Sequence, residues 1–239
     1  MCGRFAKYLS PDERAALRAR EFRQTPRNLT GGLFKPRFNI TPSQEVEVIR
    51  RHPDTGELHE ERLTWGFVPR WTKDLKSARK PINARAETVR TSPMFRDSFE
   101  RRRCIVPMDA FYEWAGEKPP KQPFAIARRD GQEMLVAGIW DGWRAPDGSI
   151  LRSVAVITTD ANETLLPIHH RMPVIIDPTD VEIWLGDDAD SAAELMKPAP
   201  NDVLRAWPVS RAVNDVRRDD PELLAPIEEA DSGRSSTGF

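Results

Sequence analysis

"RRCIVPMDAFYEWA" (Arg102–Ala115) reads as two short strands set close together, Cys104–Pro107 and Ala110–Ala115. Along the second, side chains alternate, so Phe111 and Glu113 face one way and Tyr112 and Trp114 the other. Similar runs follow downstream: "PFAIAR" (123–128), "EMLVAGIW" (133–140), "SVAVITT" (153–159) and, last, "AWPVS" (206–210). Upstream, "EVEVIR" (45–50) alternates like a strand, and 60–67 is its hairpin partner around Asp54-Thr55-Gly56. Helices fall between these runs and at the ends. Ser10-Pro11-Asp12-Glu13 supplies an N-cap, a proline in the first turn and a capping box for a helix reaching about Phe22. Ser92-Pro93 opens a second helix toward Arg102, Asp177-Pro178 caps a third carrying Val181, Ile183 and Trp184, and a fourth lies near 189–196. There is no regular βαβ alternation and no glycine-rich phosphate loop. The pattern predicts an α+β single domain with a mostly antiparallel, barrel-like β core flanked by short helices. The domain is expected to span 1–227, with 228–239 a disordered tail, acidic and then Gly/Ser-rich.

Hydrophobic residues make up 39% of the 239 positions, enough for a sizeable core. No stretch approaches the ~20 apolar residues of a membrane span. Charges at Arg4, Lys7, Asp12 and Glu13 leave no apolar signal-peptide segment. A soluble cytoplasmic protein is the expectation, with Cys2 and Cys104 as free thiols and Cys104 a buried small apolar residue. His52, His59, His169 and His170 match no zinc spacing with the two cysteines, so no metal is expected, and no cofactor is called for. The net charge of −1 hides an asymmetry. Residues 71–103 carry ten Lys/Arg against four Asp/Glu, and 1–40 carry nine against three; 176–231 carry five against fifteen. Either these charges are scattered and solvated, or the first half builds an anion-binding face. The weak overall charge argues against a protein that coats duplexes non-specifically.

Four places hold residues suited to chemistry, each with a plain structural alternative. Cys2 follows Met1 directly, and removal of Met1 would leave an amine and a thiol on one residue. Such a 1,2-aminothiol condenses with an aldehyde to an imine and then closes a thiazolidine ring. An α-amine titrates near ~7.7–8.0 and a lysine near ~10.4, so the terminal amine is the better carbonyl nucleophile. Position alone favours an incidental cysteine. In "PINARAET" (81–88), Asn83 can hold an amine or a carbonyl, and Arg85, on the same face if the segment is extended, suits a phosphate; the alternative is a turn with a solvated arginine. Glu113 is a carboxylate inside an apolar run, which is costly to bury without a partner or a proton-transfer role, unless it simply faces water. In "PIHHRMP" (167–173), an extended backbone would let at most one of His169 and His170 face a site, with Arg171 a further phosphate candidate. "WGFVPRW" (65–71) offers Trp71 as a base-stacking surface, although Trp65, Trp114 and Trp140 are expected in the core.

Together "MCGRF", "PRFNITPSQ" (36–44), "WGFVPRW", "NARAET" with "PMFR" (83–96), "RRCIVPMDAFYEW", "AGIWDGW" (137–143), "TTDAN" with "IHHRMP" (158–173) and "PVSRAVNDVR" (208–217) occur in an order that resembles the SOS-response-associated peptidase family, the abasic-site-shielding proteins. The resemblance covers about residues 1–227, leaving 24–35 and the tail unmatched. It implies a β-rich barrel-like domain that binds abasic sites in single-stranded DNA, including single-strand/double-strand junctions, in the DNA damage (SOS) response; a self-linking reaction needs no partner subunit, so a monomer is expected. Carried residue by residue, it implies that Cys2 links to the ring-opened sugar aldehyde and Asn83 positions the Cys2 amine and the opened sugar. Glu113 moves protons in imine formation and reversal, and His169 assists sugar ring opening. His170 falls at a variable position and receives no role. Arg4, Arg85 and Arg171 align with DNA-contacting arginines, and Asn39, Pro42 and Thr158 with positions lining the DNA site. Ala110 stands where glycine is common. The imine would permit some lyase activity. The word peptidase refers to self-processing that exposes the cysteine, and general proteolysis does not follow from it.

Two other classes compete. An N-terminal-nucleophile amidase or cysteine peptidase would use Cys2 with its own α-amine as base, turn over amides and ignore abasic DNA. A non-covalent single-strand-binding module would hold intact and abasic strands alike and release both in salt.

Overall fold

A computed structural model describes residues 2–22, 25–29 and 35–227. In chain order its elements are β1 (Phe5–Lys7), α1 (Pro11–Glu21), β2 (Arg27–Asn28), β3 (Arg37–Ile40), β4 (Glu45–Arg51), β5 (Leu58–Trp65), β6 (Asn83–Arg85), α2 (Ala86–Val89) and α3 (Arg96–Arg101). They continue with β7 (Arg103–Met108), β8 (Ala110–Ala115), β9 (Gln122–Arg128), β10 (Met134–Arg144), β11 (Ile150–Asp160), β12 (Arg171–Pro173), β13 (Ile175–Ile176), α4 (Val181–Trp184), α5 (Ala189–Glu194) and β14 (Leu204–Pro208). The expected tail, 228–239, lies outside the described residues.

Five strands close into a ring. β4 pairs antiparallel with β5 and β7, β7 with β10, and β10 with β11, and β11 returns to β5 in parallel through Ser153↔Thr64 and Val154↔Trp65. β6 and β12 extend β11, in parallel and antiparallel sense, along its last residues. A second sheet runs β14-β9-β8-β1-β3. One face of the ring (Val46, Val48, Leu63, Trp65, Cys104, Val106, Val136, Val154, Val156) shares a cluster with Phe5, Ile40, Phe111, Ile126 and Leu204 of the second sheet. Its other face packs Ile49, Ile105, Leu135 and Ile157 against Val89, Phe99, Val181 and Trp184 of the helices. Fully burying such side chains stabilises by ~1.5–3 kcal/mol each. β10 approaches β7 so closely at Gly138 that a Cβ there would lie 3.0 Å from the Cys104 sulfur and 3.2 Å from Val106.

Most expected elements form. Ser10 caps α1 by the reciprocal box, its backbone N–H donating to Glu13 at 2.7 Å. The 45–65 hairpin pairs as expected. Phe111 and Tyr112 fall into different clusters, as alternation requires. Three details differ. The helix after Ser92-Pro93 starts only at Arg96, because 93–95 form a turn first. β14 begins at Leu204, two residues before the expected strand. Trp65 is fully buried, but Trp114 and Trp140 are half-buried, and Trp184 takes the deep position. Trp140 instead carries the Arg50 guanidinium 4.3 Å from its ring centroid.

Part of the basic excess of residues 1–40 turns inward. Arg14 and Arg18, four apart on one face of α1, meet carboxylates of the ring. Arg14 donates to Glu47 at 2.8 Å, and Arg18 to Glu60 at 2.9 Å and to Glu133 at 2.6 Å. Lys7 lies 2.7 Å from Glu47. Despite burial, Lys7 and Arg14 hold Glu47 down at about 2. These three cations neutralise three acids and pin α1 to the ring, so they form no external anion-binding surface. Among the described residues, no helix is long and apolar enough to cross a membrane.

Candidate active site

The site is assembled by strand pairing. β1 runs beside β8 with Phe5 opposite Phe111, and the Tyr112 N–H donates to the Arg4 carbonyl at 2.9 Å. That pairing carries the residues ahead of β1 toward the Glu113 end of β8. Cys2 is fully buried there. Burial first, and the Glu113 charge second, push its thiol up to about 12. Glu113 is itself buried, and that burial raises its carboxyl above the ordinary range against the pull of the positive amino terminus and of Lys121.

Asn83 arrives from a distant part of the chain. β6 lies parallel to β11 with Asn83 opposite Val156, an extended geometry, and its side-chain amide donates to the Cys2 carbonyl at 2.8 Å. Among the described residues, the buried Asn83 Oδ1 has no hydrogen-bond partner. A buried, unsatisfied acceptor costs ~1–3 kcal/mol. Its position beside Cys2 marks a place where a donor is wanted.

His169 sits just ahead of β12. Its Nδ1 lies 3.3 Å from the Arg171 carbonyl and 2.9 Å from the Arg171 backbone N–H, which it accepts when the ring proton is on Nε2. Burial, then the amino-terminal charge, together with His170 and Lys121, lower it to about 4. Glu113 thus acts on Cys2, and Lys121 acts on both Glu113 and His169. The segment before β12 is not extended, contrary to the sequence-based premise. It turns through 163–168 and bends at His170, and the two imidazoles stack with centroids 4.4 Å apart and planes at 22°.

The DNA-contact candidates divide. Trp71 is 61% exposed, Arg85 is exposed and Pro42 is half-buried. Pro42 and Ser43 form the corner of a turn closed by the Gln44 N–H and the Thr41 carbonyl at 3.3 Å, with Ser43 at φ 71. Asn39 and Thr158 are almost completely buried. Asn39 donates to the carbonyls of Val213, Asp215 and Arg218, and accepts from Arg4 at 3.3 Å. Arg4 also donates to the Val213 carbonyl and lies 5.6 Å from the Trp114 ring centroid. Arg171 is buried and donates to Glu87, Asp160 and the Thr158 carbonyl, with the closest carboxylate oxygens at 2.6 Å. As folded, Asn39, Thr158 and Arg171 are buried, and Asn39 and Arg171 are spent on internal hydrogen bonds. Sequence reasoning missed the partners that fix this frame: Glu87 and Asp160 for Arg171, and Asn214, which accepts the Trp114 indole N–H at 2.8 Å. It also missed Lys121. Glu87, Asp160 and Asn214 stand inside the quoted motifs without an assigned role, and Lys121 lies outside them. Among the described residues, no group of three or more His, Cys, Asp or Glu side chains is placed to hold a metal ion.

Comparison with known proteins gives one consistent answer. The family model for the SOS response associated peptidase (SRAP) matches residues 1–216. The abasic site processing protein YoqW of Bacillus subtilis is 36% identical over 94% of this chain and 99% of its own. The abasic site processing protein HMCES of Gallus gallus is 35% identical over 95% of this chain and 78% of its own. A crystal structure of a protein from Bacteroides thetaiotaomicron shares the fold with a TM-score of 0.77, covering 94% of this chain and all of that one, at 24% identity. On the family model and these relatives, the chain belongs to the SOS response associated peptidase (SRAP) family.

Proposed function

We propose that this protein binds abasic sites in single-stranded DNA, including strand junctions, and links itself to them covalently through Cys2 after loss of Met1. The names of the relatives support abasic DNA as the substrate class. The observation that carries the linkage is the convergence on Cys2: the Asn83 amide 2.8 Å from its carbonyl, and Glu113 close enough to raise its thiol.

The abasic sugar is a closed hemiacetal in equilibrium with its aldehyde. Neutral His169 hydrogen-bonds the sugar through Nε2–H while the C1′ hydroxyl proton passes to the ring oxygen and the aldehyde opens. The Cys2 α-amine, held by the free Asn83 oxygen, adds to that aldehyde to give a carbinolamine. Glu113, whose carboxyl is raised by burial, gives its proton to the departing hydroxyl, so water leaves and a protonated imine remains. The Glu113 carboxylate then takes the thiol proton as sulfur adds to the imine carbon, and the C=N electron pair moves to nitrogen as the thiazolidine closes. A thiol buried this deeply is not a standing thiolate, so a local base is required. Closing the ring removes the imine from which β-elimination would cut the strand, so any lyase activity belongs to the interval before closure. One chain suffices, and each molecule acts once unless the steps reverse.

Incubation with uracil-glycosylase-treated single-stranded DNA and a denaturing gel test this. A band shifted by one protein mass is expected with wild type and none with Cys2→Ala. An equal band in Cys2→Ala overturns the cysteine linkage.

A further inference from the structure

β10 and β11 outrun the ring. β7 pairs with β10 only as far as Ile139, and β5 pairs with β11 only from Ser153 on. The two strands nevertheless stay paired beyond those points, through Gly142↔Arg152, Trp143↔Leu151 and Arg144↔Ile150. The projecting ribbon closes where the Ala145 N–H donates to the Ser149 carbonyl at 2.8 Å. Its two faces differ. Asp141 and Trp143 take one: Asp141 accepts from Arg70 Nε at 3.0 Å, and the Trp143 indole N–H donates to the Thr72 carbonyl at 2.7 Å. Trp140, Gly142 and Arg144 take the other, with Arg152 and Ile150 opposite. Together with Arg70 these residues line a hollow of about 420 Å³.

The cations of this face are not balanced within the protein. Arg50 lies over Trp140 and pairs with Glu61 at 2.5 Å, and Arg70 pairs with Asp141. Arg144 and Arg152 are exposed, and among the described residues neither has a carboxylate at ion-pair distance. Arg144 donates to the Gly148 carbonyl at 3.4 Å, and Asp147, in the turn, accepts from Ser149. A guanidinium fork suits a phosphate. The Trp140 indole and the 44% exposed Ile150 offer apolar surface for bases beside it. A second hollow, about 580 Å³, shares Arg70 and Trp140 and continues to Arg51 and Arg101. The surface is therefore elongated, as a strand requires and a small anion does not.

Its position relative to Cys2 is set by β11. From Val156, the partner of Asn83, back to Ile150 is six residues, or ~20 Å at ~3.3 Å each. At ~3.4 Å per nucleotide of one strand, about six nucleotides cover that distance. Arg70 lines the hollow, and the next residue, Trp71, is the exposed indole.

We infer that the β10–β11 ribbon, through Arg144 and Arg152, is a second binding site for the phosphate backbone of the single strand that carries the lesion, about six nucleotides from it. The inference rests on single-stranded DNA being the substrate.

Arg144→Glu/Arg152→Glu tests this. Arg144→Gln/Arg152→Gln removes the charges at similar length. Arg129→Glu/Arg205→Glu, at exposed positions on and beside the second sheet, matches the change in net charge. Circular dichroism establishes that each variant is folded. Fluorescence anisotropy with an undamaged single strand of about 20 nucleotides gives affinity against salt. Losing two phosphate contacts should reduce the salt slope by about 1.4, equivalent to about 25-fold weaker binding at 0.1 M salt, in both ribbon variants. The control pair should stay within about threefold of wild type. Adduct formation is then timed, below saturation, on a strand of about 21 nucleotides with a central abasic site and on one of about 7. The ribbon variants should lose rate on the long strand and keep it on the short one, which does not reach the ribbon. An unchanged salt slope, an equal loss in the control pair, or an equal loss of rate on both strands overturns the inference. If wild type forms no adduct on either strand, the linkage fails on its own, and the anisotropy still decides whether the ribbon holds DNA.

Discussion

Replacing Asn83 with leucine separates fold from chemistry at the centre of the site. Among the described residues, Asn83 makes one hydrogen bond, to the Cys2 carbonyl at 2.8 Å, and leaves Oδ1 buried and unpartnered. Losing the bond leaves the buried Cys2 carbonyl without its donor, which costs ~1–3 kcal/mol, and losing the unsatisfied acceptor returns ~1–3 kcal/mol. Asn83→Leu is therefore expected within about 2 kcal/mol of wild type in either direction. The apolar neighbours Ile82 and Cys2 accommodate a leucine of similar shape. Adduct formation should nevertheless fall. The oxygen assigned to hold the α-amine is gone, and a hydrogen bond to a charged group contributes ~1.5–3 kcal/mol, equivalent to about a 10- to 150-fold loss of rate. Urea denaturation measures the first quantity and a timed denaturing gel the second. Destabilisation above ~3 kcal/mol would mean that Asn83 is a structural residue. An unchanged rate would mean that its oxygen does not hold the reacting amine.

Further predictions concern other parts of the structure. Glu113→Gln removes a carboxyl whose neutral form the fold favours. Wild type loses stability as pH rises from the unfolded carboxyl value of ~4.3 through the raised folded value, so the variant should melt higher than wild type at pH 8 and match it near pH 3.5, by scanning calorimetry. The same variant should form imine and thiazolidine slowly at every pH. Trp71→Ala, at a 61% exposed side chain, should weaken binding of undamaged single-stranded DNA by about 5- to 150-fold in fluorescence anisotropy if one base stacks on it, with no change in melting temperature. Gly138→Ala forces a methyl against Cys104 and Val106 and should cost ~1–3 kcal/mol, read as a fall of about 2–12 °C in melting temperature.

What could be read from the sequence was local. The capping box at Ser10, the hairpin of β4 and β5 and the alternation along β8 depend on residues within a few positions of each other, and all three form. The barrel-like core was expected, but the pairing that closes it was not legible, because β11 and β5 pair in parallel from segments far apart in sequence with nothing local to join them. Charge counting misread residues 1–40 for the same reason. Arg14 and Arg18 look like solvated helix charges until Glu47, Glu60 and Glu133 arrive from other elements. The ordered motifs pointed to Cys2, Asn83, Glu113 and His169, and the fold brings Asn83 and Glu113 onto Cys2. They did not show that Arg171 is spent on carboxylates, or that a bend lets His170 stack on its neighbour.

The central claim is that both functional groups of one residue, the α-amine and the thiol of Cys2, end on the same sugar carbon. Proteolysis of the purified adduct after nuclease digestion, followed by tandem mass spectrometry of the amino-terminal peptide with and without prior iodoacetamide, addresses this directly. The account predicts a peptide that begins at Cys2, lacks Met1, carries the deoxyribose remnant and resists alkylation. A remnant on a lysine, a retained Met1 on the cross-linked peptide, or a Cys2 thiol still open to alkylation would contradict it.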